Sequence, residues 1–282
     1  MTSAPVLLRG LLDDAAIFPP GNLPLAEAVV AHRRHRASPY AVMVGPFVVG
    51  AGALRRLADL LEPDEDFEVA VTVPHPRLLG DVLGEADELP GVRVVAVEVA
   101  LPDDVDPTDV VPLLDAATAG RDLTTYVEVP RDERRDAVVA ALAGSGHMAK
   151  LRTGGVTPDL YPGVDELASV VADLVRAGVP FKATAGLHHA IRNTARATGV
   201  VQHGFVNLIC AVDAVQQGGA AADAARLLAE RDPVALVAAL REVDGRTPHV
   251  REMFRSFGTC SIDEPREELA ALGWTVEGGE GE

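Results

Sequence analysis

A (β/α)8 barrel, the TIM-barrel fold, with a helical insertion before its last strand is the architecture this sequence predicts. Three observations carry that expectation. Short β-branched runs alternate with longer Ala/Leu/Arg/Asp segments of helical period, the pattern of repeated βα units around a parallel sheet. Eight such strand-like runs can be counted along the chain, which suits a closed barrel. No G-x-G-x-x-G follows an early strand, and this removes the main support for an open doubly wound sheet.

Taken in order, strands are expected at residues 11–18, 41–49, 67–73, 93–100, 124–129, 147–153, 181–186 and 256–262. Helices are expected between them at 23–36, 52–61, 77–85, 106–118, 131–143 and 164–177. The stretch 187–254 is too long for one crossover helix and holds three further helical segments, 204–217, 220–229 and 233–243. It reads as an insertion within a single barrel domain of residues 1–276, lying over the barrel mouth or at a subunit contact. The Gly/Glu tail 277–282 has nothing to bury and is expected to be disordered.

Composition narrows the function. Apolar residues make up 48% of the 282 residues and aromatics only 4%, so a sizeable core must be built mostly from Ala, Val and Leu. A formal net charge of −17 argues against nucleic acid or an anionic membrane surface as partner. No apolar run approaches the roughly 18 residues of a membrane span, and the first ten residues lack the charged start of a secretory signal. Cys210 and Cys260 form no metal spacing and no disulfide framework. A cytoplasmic protein acting on a small molecule is expected, with no cofactor, and with homo-oligomerisation left open.

Lysine usage points to the chemistry. The chain has 25 basic residues, of which only Lys150 and Lys182 are lysines. Each sits in a strand-like run that ends in small residues and glycine. An amine can lose its proton and attack a carbonyl, whereas a guanidinium cannot.

Alternation sends successive strand side chains to opposite faces. If Ala149 and Leu151 face the helices, Lys150 and Arg152 point inward; the same parity turns Lys182 and Thr184, Glu98, Tyr126 and Glu128, and Thr72 into one interior. In barrel enzymes the active site lies at the C-terminal mouth. Lys150 and Lys182 on adjacent strands about 4.8 Å apart should share one cavity there. Lys150 is the expected nucleophile, with Arg152 and Lys182 as the like charges that favour its neutral form, and Glu98 or Glu128 would relay protons. Thr153 follows Arg152 at the same strand end. Gly154, Gly155, Gly186 and Gly258 end three strands with backbone that suits a phosphate or carboxylate.

These segments resemble the paired lysine strands of deoxyribose-phosphate aldolase, a class I aldolase with a (β/α)8 barrel. Lys150-Leu-Arg-Thr-Gly stands where that family has K-T-S-T-G with the Schiff-base lysine. Lys182-Ala-Thr-Ala-Gly-Leu-His stands where it has K-A-S-G-G-I-R with a second, tuning lysine. Leu11-Leu-Asp-Asp14 is similar to its opening L-I-D-H, Val71-Thr-Val-Pro-His-Pro76 to its T-V-I-G-F-P strand, and Phe257-Gly-Thr-Cys-Ser261 to its final G-T-S-S. The resemblance implies a Schiff-base lyase making or breaking a C–C bond beside the carbonyl of a small oxo or phosphorylated compound. It adds Thr259 and Ser261 to the binding residues. Glu98 lies on the strand that carries the family's catalytic aspartate, and His188 and His189 stand in place of its arginine and a small residue.

Two other readings are open to the same residues. His188, His189 and His203 bracket the start of the insertion, where with Glu98 or Asp14 they would serve a metal-assisted enzyme, although no H-x-x-x-H or H-E-x-x-H spacing occurs. Otherwise these histidines bind substrate or hold structure. Asp14 is also expected in the mouth as a substrate contact. A non-catalytic barrel that holds a ligand in its mouth is the third reading.

Overall fold

The computed structural model describes residues 4–196 and 198–274. Eight parallel strands close into a barrel: β1 (Leu12–Asp14), β2 (Val44–Gly50), β3 (Phe67–Val73), β4 (Val92–Val99), β5 (Thr124–Glu128), β6 (Met148–Arg152), β7 (Phe181–Thr184) and β10 (Phe254–Thr259). Neighbours follow chain order, and β1 closes the ring by pairing with β10. This is the expected α/β fold, a (β/α)8 TIM barrel with alternating helices.

Strand-facing alternation builds the two layers. Val69, Val71 and Val73 are fully buried on the outer side, under the helices, while Val48, Ala70, Ala96 and Tyr126 form a separate cluster inside the barrel. Burying each such aliphatic side chain contributes about 1.5–3 kcal/mol, so the two faces of every strand are both committed. Local signals set the helix ends. Asp106 accepts the Thr108 backbone N–H at 2.9 Å and Pro107 opens the helix Pro107–Thr118, the favoured start. Val164–Ala177 ends on Gly178 in the left-handed conformation, as helix stops commonly do.

Several boundaries differ from the sequence expectation. The first strand is only three residues long, because after Asp14 the chain turns: Phe18 N–H donates to Ala15 O. The second begins at Val44, after a 3-10 turn over Ala41–Met43. A helix at Thr247–Met253 precedes β10, and a closing helix covers Asp263–Ala271. The tail 277–282 lies outside the described residues.

The span 187–254 contains a small antiparallel hairpin, β8 (Asn193–Thr194) with β9 (Val201–Gln202), then the helices Phe205–Gln216, Ala221–Ala229 and Pro233–Val243. Its helices do not line the mouth. Phe205–Gln216 is buried along almost its whole length, with Phe205 stacked on Phe257 of β10 at 4.9 Å between ring centres. It packs with Ala221–Ala229 against Val164–Ala177 on the outside of the barrel. The expected lid is therefore an outer layer: an all-round apolar helix has no water-facing side and must sit between other elements. Among the described residues no helix is long and apolar enough to cross a membrane.

Candidate active site

The interior of the barrel holds an alternating chain of charges. Lys182 Nζ donates to Asp13 Oδ2 at 2.5 Å and to Glu98 Oε1. The other Glu98 oxygen lies 3.4 Å from Lys150 Nζ, which is 2.9 Å from Glu128 Oε2. Arg152 Nε donates to Glu128 Oε1 at 3.0 Å. Three carboxylates and three cations thus alternate across β1, β7, β4, β6 and β5, and Ser256 Oγ of β10 donates to Asp13 at 2.7 Å. Register produces this line-up: Lys150 pairs with Lys182 and Glu128 with Lys150 across adjacent strands.

Burial sharpens the electrostatics. It opposes the charge on Lys182, but the Asp13 and Glu98 carboxylates outweigh it and leave the ammonium held above the usual lysine range. Burial also disfavours ionised Glu98, yet Lys182 and Lys150 hold that carboxyl below its ordinary range. Glu128 is brought down to about 2, burial being overcome by Lys150 and Arg152. Asp13 moves the other way: its burial is only partly offset by Lys182 and Ser256. Tyr126, whose ring lies 5.3 Å from Lys182 Nζ, is pushed up to about 12 by burial and stays a neutral phenol. Removing one member of such a set leaves an uncompensated buried charge.

A cavity of roughly 690 Å³ opens above this chain at the C-terminal ends of the strands, within the size range of small-molecule sites. Lys150, Glu98, Glu128 and Arg152 line it, with Thr72, Thr184, Gly155, His188 and Gly258. Lys182 does not; it is 1% exposed and lies beneath Glu98. Arg152 and Lys182, expected to act on Lys150 as like charges, reach it only across Glu128 and Glu98.

Several expected site residues lie elsewhere. Asp14 faces outward and accepts a hydrogen bond from His32 Nδ1 of the helix Leu25–Arg36 at 2.9 Å; its neighbour Asp13 is the inward acid. Thr153 donates through Oγ1 to Ala185 O at 2.5 Å, tying β6 to the turn after β7. Ala185 itself is left-handed at φ 60 and lines the cavity, a conformation that costs a non-glycine residue about 1–3 kcal/mol and needs such support. Gly154 and Gly186 pack on each other and on Tyr161: a Cβ at Gly186 would lie 2.8 Å from Thr153 O and 2.9 Å from Gly154 Cα. They serve close packing and do not face the cavity. Thr259 Oγ1 donates to Ser261 O at 2.9 Å, and Ser261 Oγ accepts from Glu264 N–H, so both organise the turn after β10.

The histidines separate. His189 Nδ1 bonds Glu268 at 2.6 Å, away from the cavity. His203 Nε2 donates to Pro162 O at 2.8 Å and its Nδ1 accepts from Arg192, while burial lowers its pKa to about 4. Only His188 faces the mouth, with Cys260 Sγ 3.5 Å from its Nδ1. Among the described residues no group of three or more His, Cys, Asp or Glu is placed to hold a metal ion.

Asp13, Ser256 and Cys260 are the site residues that sequence reasoning passed over. Alternation along β10 was the available signal, since Ser256, Gly258 and Cys260 share the inward face and Thr259 does not. Compared with protein-family models the chain matches none, and no curated protein matches it.

Proposed function

We propose that this barrel is a class I lyase that forms a Schiff base between Lys150 and a small oxo compound. One observation carries the reading: of the two interior lysines, Lys150 alone opens into the mouth cavity, and it does so between two carboxylates. A nucleophilic amine needs an adjacent group to take its proton. Glu128, 2.9 Å away and itself lining the cavity, is placed for that, and its low resting pKa rises as Lys150 gives up the charge that lowers it.

The amine of Lys150 attacks the carbonyl carbon, and its proton passes to Glu128. The carboxyl returns that proton to the oxygen, then relays a second one from the same nitrogen, and the oxygen leaves as water to yield the iminium. Glu128 then takes the proton of a hydroxyl on the second carbon beyond the imine carbon, the bond between the first and second carbons breaks, and its electrons flow into the iminium, giving an enamine and a released carbonyl fragment. A proton returned to the enamine carbon and hydrolysis regenerate the free amine. Lys182 acts from below, its fixed charge keeping Glu98 ionised through each step. Glu128 exchanges the protons as general base and acid, while Glu98, 3.4 Å from the same amine, stays an anion beside the iminium charge.

Incubation with a panel of small aldehydes, ketones and 2-oxo acids under borohydride, followed by peptide mapping, tests the reading. Added mass is expected on the peptide that carries Lys150 and is lost in Lys150→Arg. Label on Lys182 alone would move the nucleophile one strand over. Turnover of a substrate with no label anywhere would reject covalent catalysis, and binding without label or turnover would leave a ligand-holding barrel.

A further inference from the structure

The mouth is divided by composition. Its charged groups come from β4, β5 and β6, while the opposite side, built by the ends of β1, β2 and β3 and the segment after β3, is apolar apart from the Thr72 hydroxyl. Phe18, Val48, Pro74, Leu78 and Val82 form that wall. Leu78 is 44% exposed at the rim, an apolar side chain kept at an entrance. Between Val48 and the turn Ala51–Ala53 the chain uses Gly50, Ala51 and Gly52, and a Cβ on Gly52 would meet nothing within 4 Å. Small residues here keep the apolar half of the cavity wide.

The polar half offers little to a phosphate. Its two cations, Lys150 and Arg152, are matched by two carboxylates, Glu98 and Glu128, at the distances given above, so an incoming dianion would have to displace a carboxylate or remain unneutralised. Of the four glycines at the strand ends, Gly154 and Gly186 are packed against each other and Tyr161, and only Gly155 and Gly258 line the cavity.

We propose that the site takes a carbonyl compound whose far end is a neutral apolar group, an alkyl chain or aryl ring lodged against the β1–β3 wall, and not a sugar phosphate. The carbonyl half of this statement rests on the Schiff-base reading of Lys150; the apolar half rests on the wall alone. Burial of each added methylene then improves capture about threefold to fourfold until the wall is filled.

Two measurements on the full chain separate these halves. Calorimetric titration with hexanol, which has no carbonyl, reads the apolar wall: binding at least tenfold tighter than ethanol is expected. Borohydride labelling compared among acetaldehyde, hexanal and a triose phosphate reads both, with hexanal expected to label at least tenfold more efficiently than either. In Leu78→Asp, which puts a charge on the exposed rim of the wall, the ratio of hexanal to acetaldehyde labelling should fall about tenfold. Hexanol binding without label from any aldehyde would keep the apolar site and remove the lysine chemistry. Efficient labelling by the triose phosphate, with hexanol no better than ethanol, would overturn the apolar proposal and leave the lysine chemistry standing.

Discussion

Lys150 and Lys182 are register partners on adjacent strands, bonded to the two oxygens of one carboxylate, Glu98, yet only Lys150 reaches the cavity. The same alternation turns both inward, and Glu98 divides their environments. Above it a lysine meets a ligand space; below it a lysine is sealed between Glu98 and Asp13.

Lys182 is a structural charge, so its removal should show first in stability. Lys182→Met leaves Asp13 and Glu98 buried with one cation fewer, and a loss of about 3–5 kcal/mol is expected. Lys150→Met should cost less, because Glu128 keeps Arg152 and has a side chain 21% exposed. Urea unfolding of both variants checks the order; an equal or smaller cost for Lys182→Met would contradict it.

The ion pairs of Glu128 predict a particular acid sensitivity. Its carboxyl titrates at about 2 in the folded chain against an ordinary 4.5. A depressed folded-state pKa stabilises the protein above the ordinary value, and that contribution disappears as pH falls from about 4.5 towards 2. Glu128→Gln does not titrate, so the stability gap between the two proteins should narrow by about 2 kcal/mol over that interval, partial exposure having trimmed the full shift. Denaturant midpoints from pH 6 down to 3 would show this, and a gap independent of pH would refute it.

Asp14 belongs to the helix interface. His32 bonds it and packs its ring edge-on to Phe47, with Phe67 alongside, at 5.4 and 5.2 Å between ring centres. His32→Ala is expected to cost about 2–4 kcal/mol from the lost packing and from a buried carboxylate left with only the Ala16 N–H as partner. Borohydride labelling of Lys150 in the surviving folded protein should persist. Loss of label at full stability would return Asp14 to the mouth.

Gly186 tests the packed strand ends. Its φ of +75 and the 2.8 Å approach to Thr153 O leave no room for a side chain, so Gly186→Ala should destabilise by about 2 kcal/mol or more. Thermal unfolding measures this; a neutral substitution would mean that the turn after β7 is looser than its geometry indicates.

Much of the architecture was legible in the sequence because its signals are local. Helical period, Asp-Pro starts and a terminal glycine place Val164–Ala177 and Pro233–Val243 at the bounds expected of them, and period-2 alternation turns Lys150, Lys182, Glu98, Glu128 and Thr72 inward. Alternation failed where a strand was too short to show it. In β1 both Leu11 and Leu12 are apolar and both Asp13 and Asp14 acidic, so either parity reads equally well. Closure of the barrel, which brings Lys182 of β7 across to β1, and the packing of His32 against the outer face decide between the two acids. The run Gly258-Thr-Cys-Ser261 shows the same limit, since a motif read continuously ignores that only alternate residues share a face.

The sequence by itself determined which side chains of the longer strands enter the barrel, because side-chain direction follows from a two-residue repeat. Which of them meet water and ligand was decided only by the tertiary structure. Glu98 above Lys182, the 187–254 segment on the outer wall and the apolar crescent of β1–β3 all arise from contacts between residues far apart in the chain. No local period encodes such contacts; they appear when the eight strands close and bury one another's faces.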